Sequence, residues 1–567
     1  MTSTDHEPAA DPGGRFVASG GWWGIVLPLV AALPAAIAAA RAIGDGWVPL
    51  SDDAVIATRA HDVLSARTPV LGQMSTVTFG AGASARSPGP LPYWLFALTS
   101  RVGPMWLSAV AAAGWASAAI VASVRLAHRR GGLPLMAATA VGFVFCARAF
   151  DPVNLAEVWN PSIGLAPMVL LFFLCWSVAV GERRLLPVAV VVASVVGQAH
   201  LTYLLAGVSA LVVAVGVAYG PDAVARVRRR SEPRAAPSWW PLAVAAGVGG
   251  LAWALPLGQQ IAGDTGNITL LFRAADSETH GWGLAGRVLG WAIGVVPAFT
   301  RAPGRESIFD RLPDAVASVP GITALLVLAG LAALVGWAIR HRRRDVGVPA
   351  GLVLALAAAA AFVARSTPTD VRGLSLVYTT WWMVSLGYLA WLVLVLGVVR
   401  VVRARRGDAP VALPPALAHG ALAVVAVAAV TVAALTPSHD REAHVFEPAG
   451  RMGDVVAARV EPGRHYLVQV DGLLAVQMGA GLGYRVRRAG AEPVVAGTDG
   501  RNMGRWYEPT GARCDGGVIR LVGDPTGPVA PGPGEEALVT VTVPPGDAVD
   551  DRFVTVLLGP DEGEPSC

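Results

Sequence analysis

The chain is 567 residues long, 54% hydrophobic and only 15% charged. Soluble globular domains carry about 25% charged residues, so a water-soluble protein is excluded, and repeated apolar runs of about 18 or more residues read as transmembrane helices. The net charge of +4 comes from arginines set in short loops between apolar runs; that is the pattern of cytoplasmic loops, and no nucleic-acid partner is expected from it.

Residues 1–21 are polar, contain both Asp and Glu, and read as a disordered cytoplasmic tail, not a cleaved signal peptide. Eleven apolar spans follow, at about 22–42, 91–126, 133–150, 163–180, 187–199, 201–219, 238–258, 317–340, 346–364, 375–399 and 414–436, which makes 22–436 one transmembrane domain. The 91–126 span is long and is expected to break near Gly103-Pro104. The stretch from Pro187 to Gly220 is too long for one helix and short for two across a core about 30 Å thick. Arginines at both its ends favour two passes, with Gln198-Ala199-His200 at the external tip. The clusters HRR (128–130), ARVRRR (225–230), RHRRR (340–344) and RVVRARR (400–406) mark the cytoplasmic side. An odd number of spans then puts the N-terminus in the cytoplasm and residues 437–567 outside it.

Two external loops are long, 43–90 and 259–316. The second contains WGLAGRVLGWAIGVV (282–296), where Trp282, Leu289 and Trp291 suggest a helix lying in the membrane interface. After the last span, the runs HYLVQV, GVIRLV, EALVTVTV and RFVTVLL alternate like strands, and DGLLAVQMGAGLGYRVRRAG reads as a helix behind the first of them. The predicted fold is an α-helical polytopic membrane protein of about eleven transmembrane helices with a small C-terminal extracytoplasmic α/β domain. Of the four cysteines, Cys146 and Cys175 lie in apolar spans and read as packing residues. Cys514 and Cys567 lie in the tail and are able to pair if it is outside the cytoplasm. No CxxC or HExxH motif is present.

Chemistry gathers at WVPLSDDAVIATRAHDVL (47–64), where Asp52 and Asp53 stand side by side just after the first span. Ser51 followed by two acids is a good helix start, with Ser51 as the cap and the carboxylates at the positive end of the helix dipole. A carboxylate at the water–lipid boundary is also able to take a proton from a sugar hydroxyl while that hydroxyl attacks an activated sugar.

An acidic pair on a short helix after the first span resembles the C-type (GT-C) superfamily of integral membrane glycosyltransferases, which use polyprenyl-phosphate-linked sugars. SPGPLPYW (87–94), WNPSIGLAP (159–167), QAHLTYLL (198–205) and GNITLLF (266–272) look like stretches of its actinobacterial members, and the resemblance covers about 22–400. Ser87 stands where such relatives carry His before Pro-Gly-Pro. The resemblance implies an inverting transfer of one sugar from a polyprenyl-phosphate donor to an envelope glycan, lipid or protein acceptor on the outer face of the bacterial cytoplasmic membrane. Asp53 or Asp52 would be the general base, with Asp53 preferred because it sits one residue further into the helix. Some members use a divalent metal and others do not. Adjacent helix positions point about 100° apart, so the two acids would need a third ligand from another loop, and no metal ligands are assigned.

A lipid phosphate needs a cation, and with no lysine in the chain the external candidates are Arg86, Arg148, Arg273, Arg365 and Arg372. Arg148 snorkels to the headgroups in the alternative reading, and Arg365 and Arg372 pair locally with Asp370. His200 and Gln198 at one tip, and Glu157 and Asn160 in NLAEVWNPS, are candidates for substrate contact. His439, Asp440, His444 and Glu447 resemble metal ligands but read as a solvated linker, and Trp506-Tyr507 is the aromatic pair suited to stack on a sugar or to pack the core. The competing functions are an envelope-lipid transporter or flippase and a non-catalytic membrane scaffold. Transporters place polar residues within several spans, whereas here they collect at one face.

Overall fold

The computed structural model describes residues 21–75, 85–227, 239–263, 265–274, 278–301, 312–369, 379–407, 415–436, 440, 442–509, 511, 514–544 and 552–560. Helix α1 (Trp23–Gly44) is followed by the short α2 (Ser51–His61) and α3 (Leu91–Phe96). Helix α4 (Leu107–Phe150) is double length, and at Gly131 and Gly132 it leaves helical geometry, Gly132 with φ at 65°, a conformation open to a residue without Cβ. A 3-10 turn (Pro152–Leu155) and the single turn α5 (Asn160–Ile163) lead into α6 (Leu165–Ala179). Then come α7 (Leu186–Ala199), α8 (Leu201–Val227), α9 (Trp240–Ala262), α10 (Asn267–Ala274), α11 (Gly281–Ile293), α12 (Val319–His341), α13 (Arg344–Arg365), α14 (Trp382–Arg405) and α15 (Pro415–Leu435).

Among the described residues nine helices are long and apolar enough to cross a membrane, and the chain is a multi-pass membrane protein. Nine differs from the expected eleven for two reasons. Helix α4 counts once although its glycine break divides it into two passes. Helix α7 has 14 residues and so spans only about 21 Å, short of a hydrocarbon core about 30 Å thick. The break expected at Gly103-Pro104 is present, between α3 and α4.

Packing follows the apolar pattern. LAPMVLLFFLCWSVA is apolar on every side, and all of α6 is buried, against α4, α7 and α8. Helices α9 and α15 lie at the periphery. Helix α11 departs from the expected interfacial helix: Leu284, Val288 and Trp291 are buried against α12, α13 and α14, and only the Trp282 end is exposed. At the bundle end away from α2, the arginine clusters find acids. Glu182 meets Arg129 and Arg130, Arg183 meets Asp222, and Asp345 meets Arg343 and Arg400.

The C-terminal part contains α16 (Ala443–Arg459), β1 (His465–Asp471), α17 (Leu473–Arg488), β2 (Glu492–Val495), α18 (Thr498–Met503), β3 (Gly517–Asp524), β4 (Glu536–Thr542) and β5 (Phe553–Gly559). The four expected strands and the helix behind the first are present. Strand β2 was not expected, because EPVV is four residues long and contains proline. The sheet order is β2-β1-β3-β5-β4, parallel for β2-β1-β3 and antiparallel beyond. Cys514 is buried and disulfide-bonded, and Cys567 lies outside the described residues.

This α/β part shares one hydrophobic core with the segment between α1 and α4. Trp47, Val55, Ile56, Tyr93 and Phe96 pack in the same cluster as Phe446, Met478 and Tyr507. Helix α17 lies on α2, and Gly481 permits the approach, since a Cβ there would stand 2.8 Å from the Pro49 carbonyl oxygen. Tyr484 donates to the Ser100 carbonyl at 2.6 Å. Asp62, its side chain 3% exposed, accepts from Tyr507 at 2.5 Å and from Arg487 at 3.1 Å. Burial would raise its carboxyl, but the His61, Tyr507 and Arg487 contacts outweigh it and hold the group below the usual range. Asp62→Asn removes a charge from a buried hydrogen-bonded pair whose Arg487 retains Glu492, and is expected to weaken tail docking by about 2 kcal/mol. Faster trypsin cleavage of the tail and a lowered Tm are the expected signs; an unchanged digestion pattern would show that Asp62 does not hold the interface.

Candidate active site

Helix α2 starts differently from the sequence expectation. Its N-cap is Leu50, in extended geometry and without a side-chain cap, and Ser51 does not cap but takes φ of 43°. A non-glycine residue in that region is uncommon and costs strain. Asp52 and Asp53 follow in the first turn, where the helix dipole favours anions, while Ala54, Val55, Ile56 and Ala57 are buried beneath them.

The two acids have unlike surroundings. Asp52 Oδ2 accepts from Trp159 Nε1 at 3.0 Å, and Asp52 Oδ1 accepts from Asn502 Nδ2 at 3.4 Å. Trp159 in turn meets the edge of Trp381, with ring centroids 5.7 Å apart. Burial raises the Asp52 carboxyl, and the Trp159 hydrogen bond draws it back. Asp53 has no donor of this kind among the described residues. Burial, then the charges of Glu157, Glu442, Asp440 and Asp52, push its carboxyl well up. Glu157 is pushed to about 8 by burial and Asp440, opposed by a hydrogen bond from Ser162 Oγ at 3.1 Å. Glu442 goes to about 7 through burial and then Asp440 and Asp52. Asp440, which read as part of a solvated linker, is instead one of these partly buried acids; His439 lies outside the described residues. Among the described residues no three His, Cys, Asp or Glu side chains converge closely enough to hold a metal ion.

Two arginines meet the segment that carries Asn502. Arg86 donates to the carbonyls of Asn502 (3.2 Å) and Arg501 (2.6 Å), and Arg59 donates to those of Asn502, Met503 and Leu71. The Arg59 guanidinium also lies 5.0 Å over the Tyr93 ring. Burial and then Arg59 draw the Arg86 guanidinium down to about 10, which leaves it charged at neutral pH. The GNITLLF stretch meets this corner: Asn267 exchanges hydrogen bonds with the Arg86 backbone at 2.8 and 2.9 Å.

The other sequence candidates divide. Gln198 is fully engaged, accepting from Leu91 N–H at 3.1 Å and donating to the Ala252 carbonyl at 2.8 Å. Asn160 accepts from Gln73 at 2.9 Å and donates to the Ala199 carbonyl at 2.8 Å. Both act as brackets that fix the loops around the acids. His200 caps α7, 2.9 Å from Thr202 Oγ1, and burial draws its imidazole down to about 4, so that it is neutral. Arg148 is in the last turn of α4 and is half-buried. Arg365 is exposed and lies 4.8 Å over the Trp282 ring. Arg273 belongs to α10, and Arg372 lies outside the described residues. Trp506 is exposed beneath Arg67 and Arg505, while Tyr507 is buried.

Sequence reasoning did not select Trp159, Asn502, Arg59 or Glu442. Trp159 opens the WNPSIGLAP stretch and Asn502 stands four residues before Trp506, so the segments were visible but not their partners. A small pocket of about 20 Å³ lies between Glu157, Asp440 and Asp45, and Asp45, Trp47 and Phe446 line both it and a wider cleft of about 770 Å³. Trp106, Arg451, Arg485 and Arg488 line the far side of that cleft.

No protein-family model matches the chain, and no curated protein matches it. Among solved structures it is similar to ArnT from Cupriavidus metallidurans, bound to undecaprenyl phosphate and in the apo state. Both comparisons cover 95% of this chain and 98% of that one, at 13% and 14% identity and a TM-score of 0.47.

Glu157 holds its proton more tightly in the folded chain than at its unfolded value of 4.5. Its contribution to stability is therefore complete below pH 4.5 and is lost as pH rises through about 8. The detergent-solubilised protein is expected to lose Tm over that window, and Glu157→Gln to flatten the loss. Equal pH dependence in both proteins would mean that Glu157 is not in this environment.

Proposed function

We propose that the chain is a membrane glycosyltransferase that moves one sugar from a polyprenyl-phosphate donor to an envelope glycan, lipid or protein acceptor on the outer face of the cytoplasmic membrane, with Asp52 as general base. The observation that carries this reading is the Asp52 carboxylate in the first turn of α2, just after the first membrane-spanning helix. It is held by an indole and by the amide of Asn502, whose own carbonyl accepts from Arg59 and Arg86. In the reaction the acceptor oxygen attacks the anomeric carbon as its proton passes to Asp52. The bond from that carbon to the phosphate oxygen breaks, the lipid phosphate leaves with the electron pair, and the anomeric centre inverts.

Asp52 is preferred to Asp53 on physical grounds. A base must be ionised before it acts. Two donors support the anion at Asp52, whereas four neighbouring acids oppose it at Asp53. Arg86 is the donor-phosphate candidate nearest to this base in the network: its guanidinium and the Asp52 carboxylate both bond to Asn502, and it remains charged.

The test is transfer from a panel of radiolabelled polyprenyl-phosphate sugars in membranes holding the wild type, Asp52→Asn or Asp53→Asn at equal expression. Loss of a general base costs about 10²–10⁴-fold in rate. That loss is expected for Asp52→Asn with whichever donor turns over, and a smaller loss for Asp53→Asn. Undiminished transfer in Asp52→Asn would remove Asp52 as the base, and loss confined to Asp53→Asn would reassign it to its neighbour.

A further inference from the structure

One of the two donors on Asp52 comes from a part of the chain 450 residues away. Asn502 closes α18 of the C-terminal domain and is nearly buried. Three contacts fix its orientation. Its Oδ1 accepts from the Met74 backbone N–H at 2.8 Å, and its own carbonyl accepts from Arg59 and Arg86. A backbone N–H only donates, so the amide oxygen faces Met74 and the NH₂ group is turned to Asp52. Within α18, Gly500 has no room for a side chain, because a Cβ would stand 1.9 Å from the Val495 carbonyl oxygen. The segment is thus seated rigidly between β2 and the first external loop.

We infer that Asn502 is a positioning residue for Asp52: the C-terminal domain supplies the amide that orients this carboxylate and favours its ionised form, so the site is complete only when the tail is docked. The inference rests on Asp52 being the base only for its catalytic consequence; the coupling between amide and carboxylate stands apart from it. The other ionisable groups facing Asp52 are Asp53 on its own helix, Glu442 ahead of α16, Asp499 on α18 and Tyr93 on α3. The acids among them oppose a charge on Asp52. Arg59 and Arg86 are held on tail carbonyls. The hydrogen bonds from Trp159 and Asn502 are therefore the contacts that favour the anion directly.

The experiment is an infrared titration of the full-length protein in nanodiscs, with the Asp52 carboxyl band identified by its loss in Asp52→Asn. Asn502→Ala is expected to move the Asp52 midpoint up by about one pH unit, the scale of one hydrogen bond to a charged group. Asn502→Asp keeps an oxygen for Met74 N–H but replaces the donor with a carboxyl, and is expected to move the midpoint further. The acid limb of the kcat/KM profile should move with the midpoint in both variants. Trypsin resistance of the tail shows that the variants remain docked. A residue with a merely structural role would lower the amount of active protein and leave both midpoints in place. Unmoved midpoints in docked Asn502→Ala and Asn502→Asp would overturn the inference. Moved midpoints with full transfer in Asp52→Asn would sustain the coupling and refute the choice of base.

Discussion

A carboxylate taken out of water must be met by donors or it will hold a proton, and α2 carries three such groups under three different conditions. Asp62, at its C-terminal end, is met by a phenol and a guanidinium from the tail and stays ionised. Asp52 receives one indole and one amide donor and lies between the extremes. Asp53, next to it, faces other acids. One short helix and its C-cap thus carry a structural anion, a carboxylate with two donors and a carboxyl pushed up by its neighbours. The positions of the surrounding elements follow from satisfying the first two.

That constraint explains why the C-terminal domain is built into the molecule and is not an appended module. The segment between α1 and α4 does not bury its apolar residues by itself. Val55, Ile56, Tyr93 and Phe96 find their core only with Phe446, Met478 and Tyr507. Arg59 and Arg86 do the complementary polar work: they satisfy the carbonyls at the end of α18, which a short helix leaves without partners. The apolar and polar halves of the interface enforce one register, and that register brings Asn502 to Asp52.

Below this junction the bundle keeps its charge at its ends. Helix α6 is buried on all sides without an ionisable group that would need a partner other than a thiol. Gln198 and Asn160 spend their amides on backbone groups that α7, α9 and the loops leave unpaired. The bundle's interior is dry, and its carboxylates and guanidinia are kept to the two ends, where they find partners or water.

Much of the fold was legible from periodicity. Runs of apolar residues across 22–436, the Gly103-Pro104 break, the four alternating strands and the helix behind the first strand are local properties, since lipid and sheet each demand a repeating pattern over a few turns. The short β2 and the burial of α11 were not, because four residues carry too little pattern and because a helix face shows apolarity but not what covers it. The acidic pair was also legible, as was its place after the first span. Its internal difference was not. Sequence shows Asp52 and Asp53 as equals one position apart, and the small preference for Asp53 rested on that position alone. Only the tertiary structure separates them, because a carboxyl's readiness to ionise depends on donors and charges brought from Trp159, Glu157, Glu442 and Asn502, as far as 450 residues along the chain. The sequence by itself determined that two acids would follow the first apolar span; tertiary contacts, through desolvation and hydrogen bonding, decided which of them meets donors and which meets other acids.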